Sequence, residues 1–291
     1  IRRPPRSTQG VSSAASDVYK RQVCDVSPPR GGTTQLLDVI ADVTPDMFFV
    51  AANPGRTVRA SSSSVAQWIE SNTKIPALFA MTTRDMNKTA MQTTLLGAHV
   101  MGLRNLVVVK GDNFTTTRGC ADVSVKGFTP TEFIRSVKKM NKRTDFTGRF
   151  LSEPTDFCVG STLDTSRDWS SEVSLTAKKI RCGSDFLIAQ PNFDPVVTKQ
   201  FLEQYKGNQK SELNVPIMWG VQIMSRDSIS FTDVPEQVTK ELALGNAGYE
   251  IALDMIHKYL DIGIKDFYLL PPIFPGGRRD YESAQAVIEE L

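Results

Sequence analysis

The stretch at residues 103–112, LRNLVVVKGD, constrains the fold more than any other. A continuous β-branched run bounded by Gly102 on one side and Gly111 on the other is the pattern of a strand buried on both faces. Such strands belong to parallel sheets covered by helices. The run ends in a carboxylate, Asp112, at the point where a parallel α/β sheet or barrel opens its ligand-binding loops.

The same design repeats along the chain. Short β-branched or aromatic runs at 23–27, 47–51, 76–82, 105–110, 156–160, 185–190, 217–222 and 266–270 alternate with polar loops and segments of helical periodicity. Helices are expected from about Thr34, over 63–70, over 86–101 with Asp85 as N-cap and Gly102 as stop, over 130–140, over 171–182, in two pieces after the seventh strand, and over 283–291. Eight alternations in this length predict a closed (β/α)8 TIM barrel in a single domain. An open doubly wound sheet is the alternative, but it more often carries a GxGxxG turn after its first strand, and none is present.

The chain has 291 residues, 40% hydrophobic and 23% charged, enough for one large α/β domain. A net charge of +2 with scattered basic residues predicts neither nucleic acid nor an anionic membrane as partner, and no apolar run approaches a membrane span. Cys24, Cys120, Cys158 and Cys182 are far apart, without CxxC or CxxH spacing, and read as free thiols of a reducing, cytoplasmic compartment with no zinc site. Residues 1–22, basic and Ser-rich without hydrophobic periodicity, resemble translated adaptor sequence. They are assigned outside the fold, as a non-native segment or a disordered arm, which leaves 23–291 for the barrel. The terminal VIEEL stops inside a helical pattern, so both ends are expected to be clipped.

In a barrel, strand ends meet at one mouth whatever their separation in sequence, so Asp25, Asp112 and Gln190 are predicted to share it. The two histidines, His99 and His257, fall in exterior helices, so proton transfer is left to carboxylates, lysines, tyrosines or a cofactor. Asp25 precedes two stiff prolines that would limit its contact with water, raise its pKa and make it a candidate general acid; a loop-capping aspartate is the other reading. Gly111 lets backbone approach a flat ligand, although turn chemistry alone explains Gly-Asp. The amide of Gln190 both donates and accepts, as recognition of a fused heteroaromatic ring requires. Lys179, on the preceding helix, is a candidate phosphate ligand or a solvated helix lysine. Phe193, Trp219 and Phe231 offer a stacking surface or core.

With these residues in place the sequence resembles the methylenetetrahydrofolate reductase family. The matching segments run in order: DVSPPRGG at 25–32, TTRDMNKTAMQTTLLGAHVMGLRNLVVVKGD at 82–112, KKIRCGSDFLIAQPNFD at 178–194 and DFYLLPP at 266–272. The resemblance implies a flavoprotein barrel that reduces 5,10-methylenetetrahydrofolate to 5-methyltetrahydrofolate, with FAD as cofactor and NAD(P)H as electron donor, in one-carbon and methionine metabolism. It places Asp25 where the family has a glutamate acid, and assigns Asp112 a position near both flavin and folate. Gln190 and Phe193 fall to the pterin, and Lys110, Gly111, Asp112, Lys179, Asn53 and Thr82 to the flavin. Ala80 stands where many members have a flavin-contacting histidine, Ala51-Ala52 replace polar residues, and the PP-containing last strand points to a divergent branch. These departures carry a rival reading, a folate-binding or partner-dependent subunit without tight FAD, with a homo-oligomer or a partner subunit as the protein partner. A barrel lyase acting on a phosphorylated metabolite is the third.

Overall fold

The computed structural model describes residues 20–111, 125 and 127–291. In chain order the elements are β1 (Arg21–Val26), α1 (Gln35–Asp38), β2 (Met47–Val50), α2 (Ser62–Thr73), β3 (Ala77–Thr82), α3 (Lys88–Val100), β4 (Asn105–Val109), α4 (Pro130–Met140) and β5 (Cys158–Leu163). They continue with α5 (Trp169–Arg181), β6 (Phe186–Pro191), α6 (Pro195–Gln209), β7 (Ile217–Gln222), α7 (Glu236–Leu244), α8 (Gly248–Asp261), β8 (Asp266–Leu270) and α9 (Tyr281–Glu289). The eight strands pair in parallel in sequence order, and β8 closes on β1, giving the predicted (β/α)8 TIM barrel.

Alternation along each strand sends side chains into two separate buried clusters. Cys24, Phe48, Phe79, Leu106, Val159, Leu187, Val221 and Leu269 pack outward against helix residues such as Ile69, Leu95, Ile134 and Ile256. Val23, Phe49, Leu78, Val107, Phe186, Ile188, Met218 and Leu270 form the inner cluster that fills the barrel. Gly160 makes room there: a Cβ on it would lie 2.3 Å from the Phe186 ring. No helix among the described residues is long and apolar enough to cross a membrane.

Several local expectations shift. β1 starts at Arg21, two residues inside the segment set apart on the sequence, because Arg21 ion-pairs with Asp266 and Gln22 registers with Phe267. The fifth strand runs over Cys158–Leu163, later than expected, and Asp156 instead lies below it, bonded to His99 at 2.9 Å. The first helix is one turn followed by a 3-10 turn, Val39–Asp42. Helix α6 was not assigned from the sequence, although its start is written in Asp194-Pro195: the Asp194 side chain caps Val196 N–H at 2.8 Å and Pro195 supplies a first-turn φ. The cap of α3 is Asn87, not Asp85. Asp85 is drawn away by stronger donors at the barrel mouth.

Candidate active site

Asp25 sits in β1 with the parity of Val23, so its side chain faces the barrel interior one step above the hydrophobic filling, and it is 2% exposed. Tyr268 of β8 donates its hydroxyl to Asp25 Oδ1 at 2.5 Å, and Arg279 Nη2 forms an ion pair with Oδ2. Arg279 reaches this point because the chain after β8 doubles back. Pro275 opens a turn in which Gly276 and Gly277 have φ of 86° and 87°, and Ile273 and Arg279 form an antiparallel bridge across it. Glycine is needed for those dihedrals, and at Gly277 a Cβ would also lie 2.7 Å from Arg59 Nη2, displacing that guanidinium. Arg279 Nε then donates to Ser27 Oγ at 2.9 Å, and Arg59 Nη1 to the Pro28 carbonyl at 2.8 Å, fixing the β1 loop to this wall.

Burial drives the Asp25 carboxyl above its ordinary value, against the pull of the Arg279 guanidinium and the Tyr268 hydrogen bond. Burial likewise raises the Tyr268 phenol, which Asp25 holds higher still, and the Cys24 thiol beside it.

A second polar group lies at the ends of β2 and β3. Asp85 accepts from Thr82 Oγ1 at 2.5 Å, from Asn53 Nδ2 at 3.1 Å and from Arg84 Nη2 at 2.9 Å. Burial alone would raise the Asp85 carboxyl, but these donors hold it below the usual carboxylate range. Asn53 takes a left-handed φ of 44°, tolerable for asparagine, and accepts Arg59 N–H at 3.3 Å. Gly111, φ 80°, packs against this group, with its missing Cβ 3.2 Å from Thr82 and 3.3 Å from the Arg84 guanidinium carbon. Lys110 beside it is exposed.

Gln190 is the exposed residue of β6. The register between β6 and β7 shifts between Ile188 and Pro191, and Gly220 allows it: a Cβ there would lie 2.6 Å from the Ala189 carbonyl and the Pro191 nitrogen. Gln222 of β7 is buried, donating to the Ile229 carbonyl at 2.7 Å and accepting from Phe231 N–H at 3.2 Å, which ties down the loop after β7.

Of the residues singled out on the sequence, the structure joins Asn53 and Thr82 through Asp85 and sets Gly111 and Lys110 beside them. Asp25 and Gln190 lie at the ends of other strands of the same barrel, and Asp112 lies outside the described residues. Lys179 faces away from the interior. Its ammonium donates to the Thr162 carbonyl at 2.5 Å and lies 3.7 Å from Glu172 Oε1, in the layer between α5 and β5. Burial lowers its pKa and Glu172 pulls it back up. Trp219 is core in the outer cluster, Phe193 packs against that cluster, and Phe231 is exposed on the β7 loop.

The described residues do not fit FAD as the resemblance implies. The lysine assigned to its phosphates is enclosed with a carboxylate, the Thr82 hydroxyl and the Asn53 amide both donate to Asp85, and Ala80 offers no polar atom. Sequence reasoning missed Tyr268, Arg279, Asp85 and Gln222. Tyr268 and Gln222 carry the inward parity of their strands, and Arg279 falls between the last predicted strand and the last predicted helix. Nothing local links Asp25 to partners more than 240 residues away.

Comparison with known proteins gives a consistent result. The family model described as methylenetetrahydrofolate reductase matches residues 22–271. Methylenetetrahydrofolate reductase 2 of Schizosaccharomyces pombe is 22% identical over 286 residues, covering 89% of this chain and 40% of that protein. The chain therefore spans two fifths of the length of the curated relative it matches. Among solved structures, an uncharacterised Clostridium thermocellum protein that binds two copies of 5-methyl-5,6,7,8-tetrahydrofolic acid superposes with a TM-score of 0.64 at 14% identity, over 94% of this chain and 95% of that one. At that identity the likeness is one of fold.

Proposed function

The chain belongs to the methylenetetrahydrofolate reductase family, and from that premise we propose that it binds a reduced folate at the barrel mouth and reduces its one-carbon unit, converting 5,10-methylenetetrahydrofolate to 5-methyltetrahydrofolate at the expense of NAD(P)H. The observation that carries this reading is Asp25, a carboxyl buried at the inner end of β1 with its pKa raised by burial. Opening the five-membered ring of the substrate requires a proton on its bridging nitrogen, and a buried carboxyl is suited to supply one at neutral pH. Gln190, the exposed amide at the end of β6, offers a donor and an acceptor to the pterin, and Phe193 an apolar edge. The folate bound by the Clostridium thermocellum protein of the same fold is in keeping with this ligand class.

The proposed test is NAD(P)H oxidation dependent on methylenetetrahydrofolate. Asp25→Ala abolishes folate reduction and leaves NAD(P)H oxidation by an artificial acceptor largely intact. Loss of both activities rejects the role given to Asp25.

A second reading is favoured by the enclosure of Lys179: a folate-binding or partner-dependent member of the family without tight FAD. An absorbance spectrum separates the two. Flavin bands that survive removal of excess FAD, bleach with NAD(P)H and return with methylenetetrahydrofolate establish FAD as the cofactor. A colourless, folded protein that binds folate without oxidising NAD(P)H establishes the second.

A further inference from the structure

The Asp25 carboxyl is covered on both oxygens, Oδ1 by Tyr268 and Oδ2 by Arg279, and its side chain is 3% exposed. The groups acting on it come from four places: Cys24 on β1 itself, Tyr268 on β8, Arg279 on the hairpin after β8, and Tyr281 at the head of α9. Arg59, beyond β2, faces Arg279. Among the described residues only Arg279 brings a full opposite charge to the carboxyl. Contact with a guanidinium favours the ionised carboxylate, against the burial that raises the carboxyl, and covers it, whereas a general acid must be protonated and within reach of its substrate. In the resting arrangement both oxygens are covered, so a substrate cannot reach the carboxyl.

Two features of Arg279 resolve the conflict. It is carried on a hairpin whose turn is Pro-Gly-Gly, closed by Phe274 N–H to the Arg278 carbonyl at 2.9 Å, Gly277 N–H to the Phe274 carbonyl at 2.9 Å and Asp280 N–H to the Pro272 carbonyl at 3.0 Å, and held to the β7 loop by Ile229 N–H to the Ile273 carbonyl at 2.7 Å. Its Nη1 is buried and has no hydrogen-bond partner among the described residues. An acceptor oxygen on a ligand would satisfy that nitrogen, and only a ligand that binds the displaced position better than the resting one can move the side chain.

We infer that Arg279 is the positioning residue for Asp25, a clamp that covers the carboxyl at rest and favours its ionised form, is drawn aside when a ligand oxygen engages its guanidinium, and neutralises the carboxylate again after proton transfer. The inference rests on the reading of Asp25 as the acid. With the clamp drawn aside, Asp25 takes up a proton from solvent hydronium at the mouth, leaving water. That proton passes to the bridging nitrogen of the folate, the bond from this nitrogen to the one-carbon unit breaks with its electron pair left on nitrogen, and Asp25 returns to a carboxylate facing Arg279.

Carbon-13 NMR of protein labelled at aspartate carboxyls, with the Asp25 signal assigned by Asp25→Asn, tests the clamp without requiring activity. Asp25 in the wild type is expected to titrate at least about one pH unit below its position in Arg279→Gln, with Arg279→Lys close to the wild type. Addition of 5-methyltetrahydrofolate to the wild type moves the titration towards that of Arg279→Gln. Identical titrations in wild type and Arg279→Gln, or a wild-type titration unmoved by folate that visibly binds, overturn the inference. Should 5-methyltetrahydrofolate perturb no resonance at all, the folate reading fails, and the comparison of variants still decides the clamp. If Arg279→Gln does not fold, Arg279→Lys and the wild-type folate titration carry the same decision.

Discussion

Replacing Lys179 with methionine removes the cation from a buried pair and strands its carboxylate. Glu172 is 2% exposed, and its Oε1 accepts Asp164 N–H at 3.2 Å and lies 3.7 Å from the Lys179 ammonium. The same ammonium supplies the donor for the Thr162 carbonyl at 2.5 Å. Breaking a buried pair on one side costs about 3–5 kcal/mol, of which the lost bond to Thr162 accounts for roughly 1 kcal/mol. Burial already raises the Glu172 carboxyl above its ordinary 4.5, with Lys179 the main group pulling it back, so the variant raises it further. The folded state then binds this proton more tightly than the unfolded state. Stability of the variant therefore falls as pH rises from the unfolded value through the folded one, and the deficit fades below that window, where both states are protonated. Urea unfolding of wild type and Lys179→Met at neutral pH and near pH 4 measures the difference, and the double variant Glu172→Leu/Lys179→Met recovers most of the loss. If Lys179 served only a flavin phosphate, the variant would be as stable as the wild type and bind FAD more weakly. A loss under about 1 kcal/mol, or one equal at both pH values, refutes the structural assignment.

Other perturbations probe the walls of the site. Gly220→Ala forces a Cβ to within 2.6 Å of the β6 backbone and is expected to cost about 1–3 kcal/mol, with folate affinity falling because the bulge that sets Gln190 must move; unchanged melting and affinity would contradict the role given to Gly220. Gly111→Ala places a side chain at φ 80° against Thr82 and should cost about 1–2 kcal/mol, read by chemical denaturation. Cys24 and Cys182 are buried, and burial raises the Cys24 thiol, so both should resist a disulfide-exchange reagent at pH 8 until denaturant is added. Prompt labelling of either, mapped by mass spectrometry, would show that the outer layer opens readily.

The barrel was legible because a continuous apolar run is a local signal: LVVV at 106–109 and FLIA at 186–189 announce buried parallel strands wherever they occur. The strand-end positions of Asp25 and Gln190 follow from where the same runs stop. Lys179 was placed on the correct helix, but the sequence does not say that its four-carbon stem runs inward to a carbonyl of β5. Asp85 looked like a helix cap because aspartate before a helix usually is one; Thr82 at the end of β3, Asn53 after β2 and the adjacent Arg84 outbid the helix for it, and Asn87 took the cap.

What the sequence by itself determined is therefore the periodic part of the molecule: eight strands, the helices between most of them, and the strand ends that meet at one mouth. What only the tertiary structure decided is who meets whom at the mouth. Barrel closure sets β8 against β1, and a Pro-Gly-Gly turn swings Arg279 back onto Asp25. Strand periodicity is set by each residue's nearest neighbours, whereas the charge state and cover of Asp25 depend on groups brought to it from the far end of the chain by the last hydrogen bonds that close the sheet.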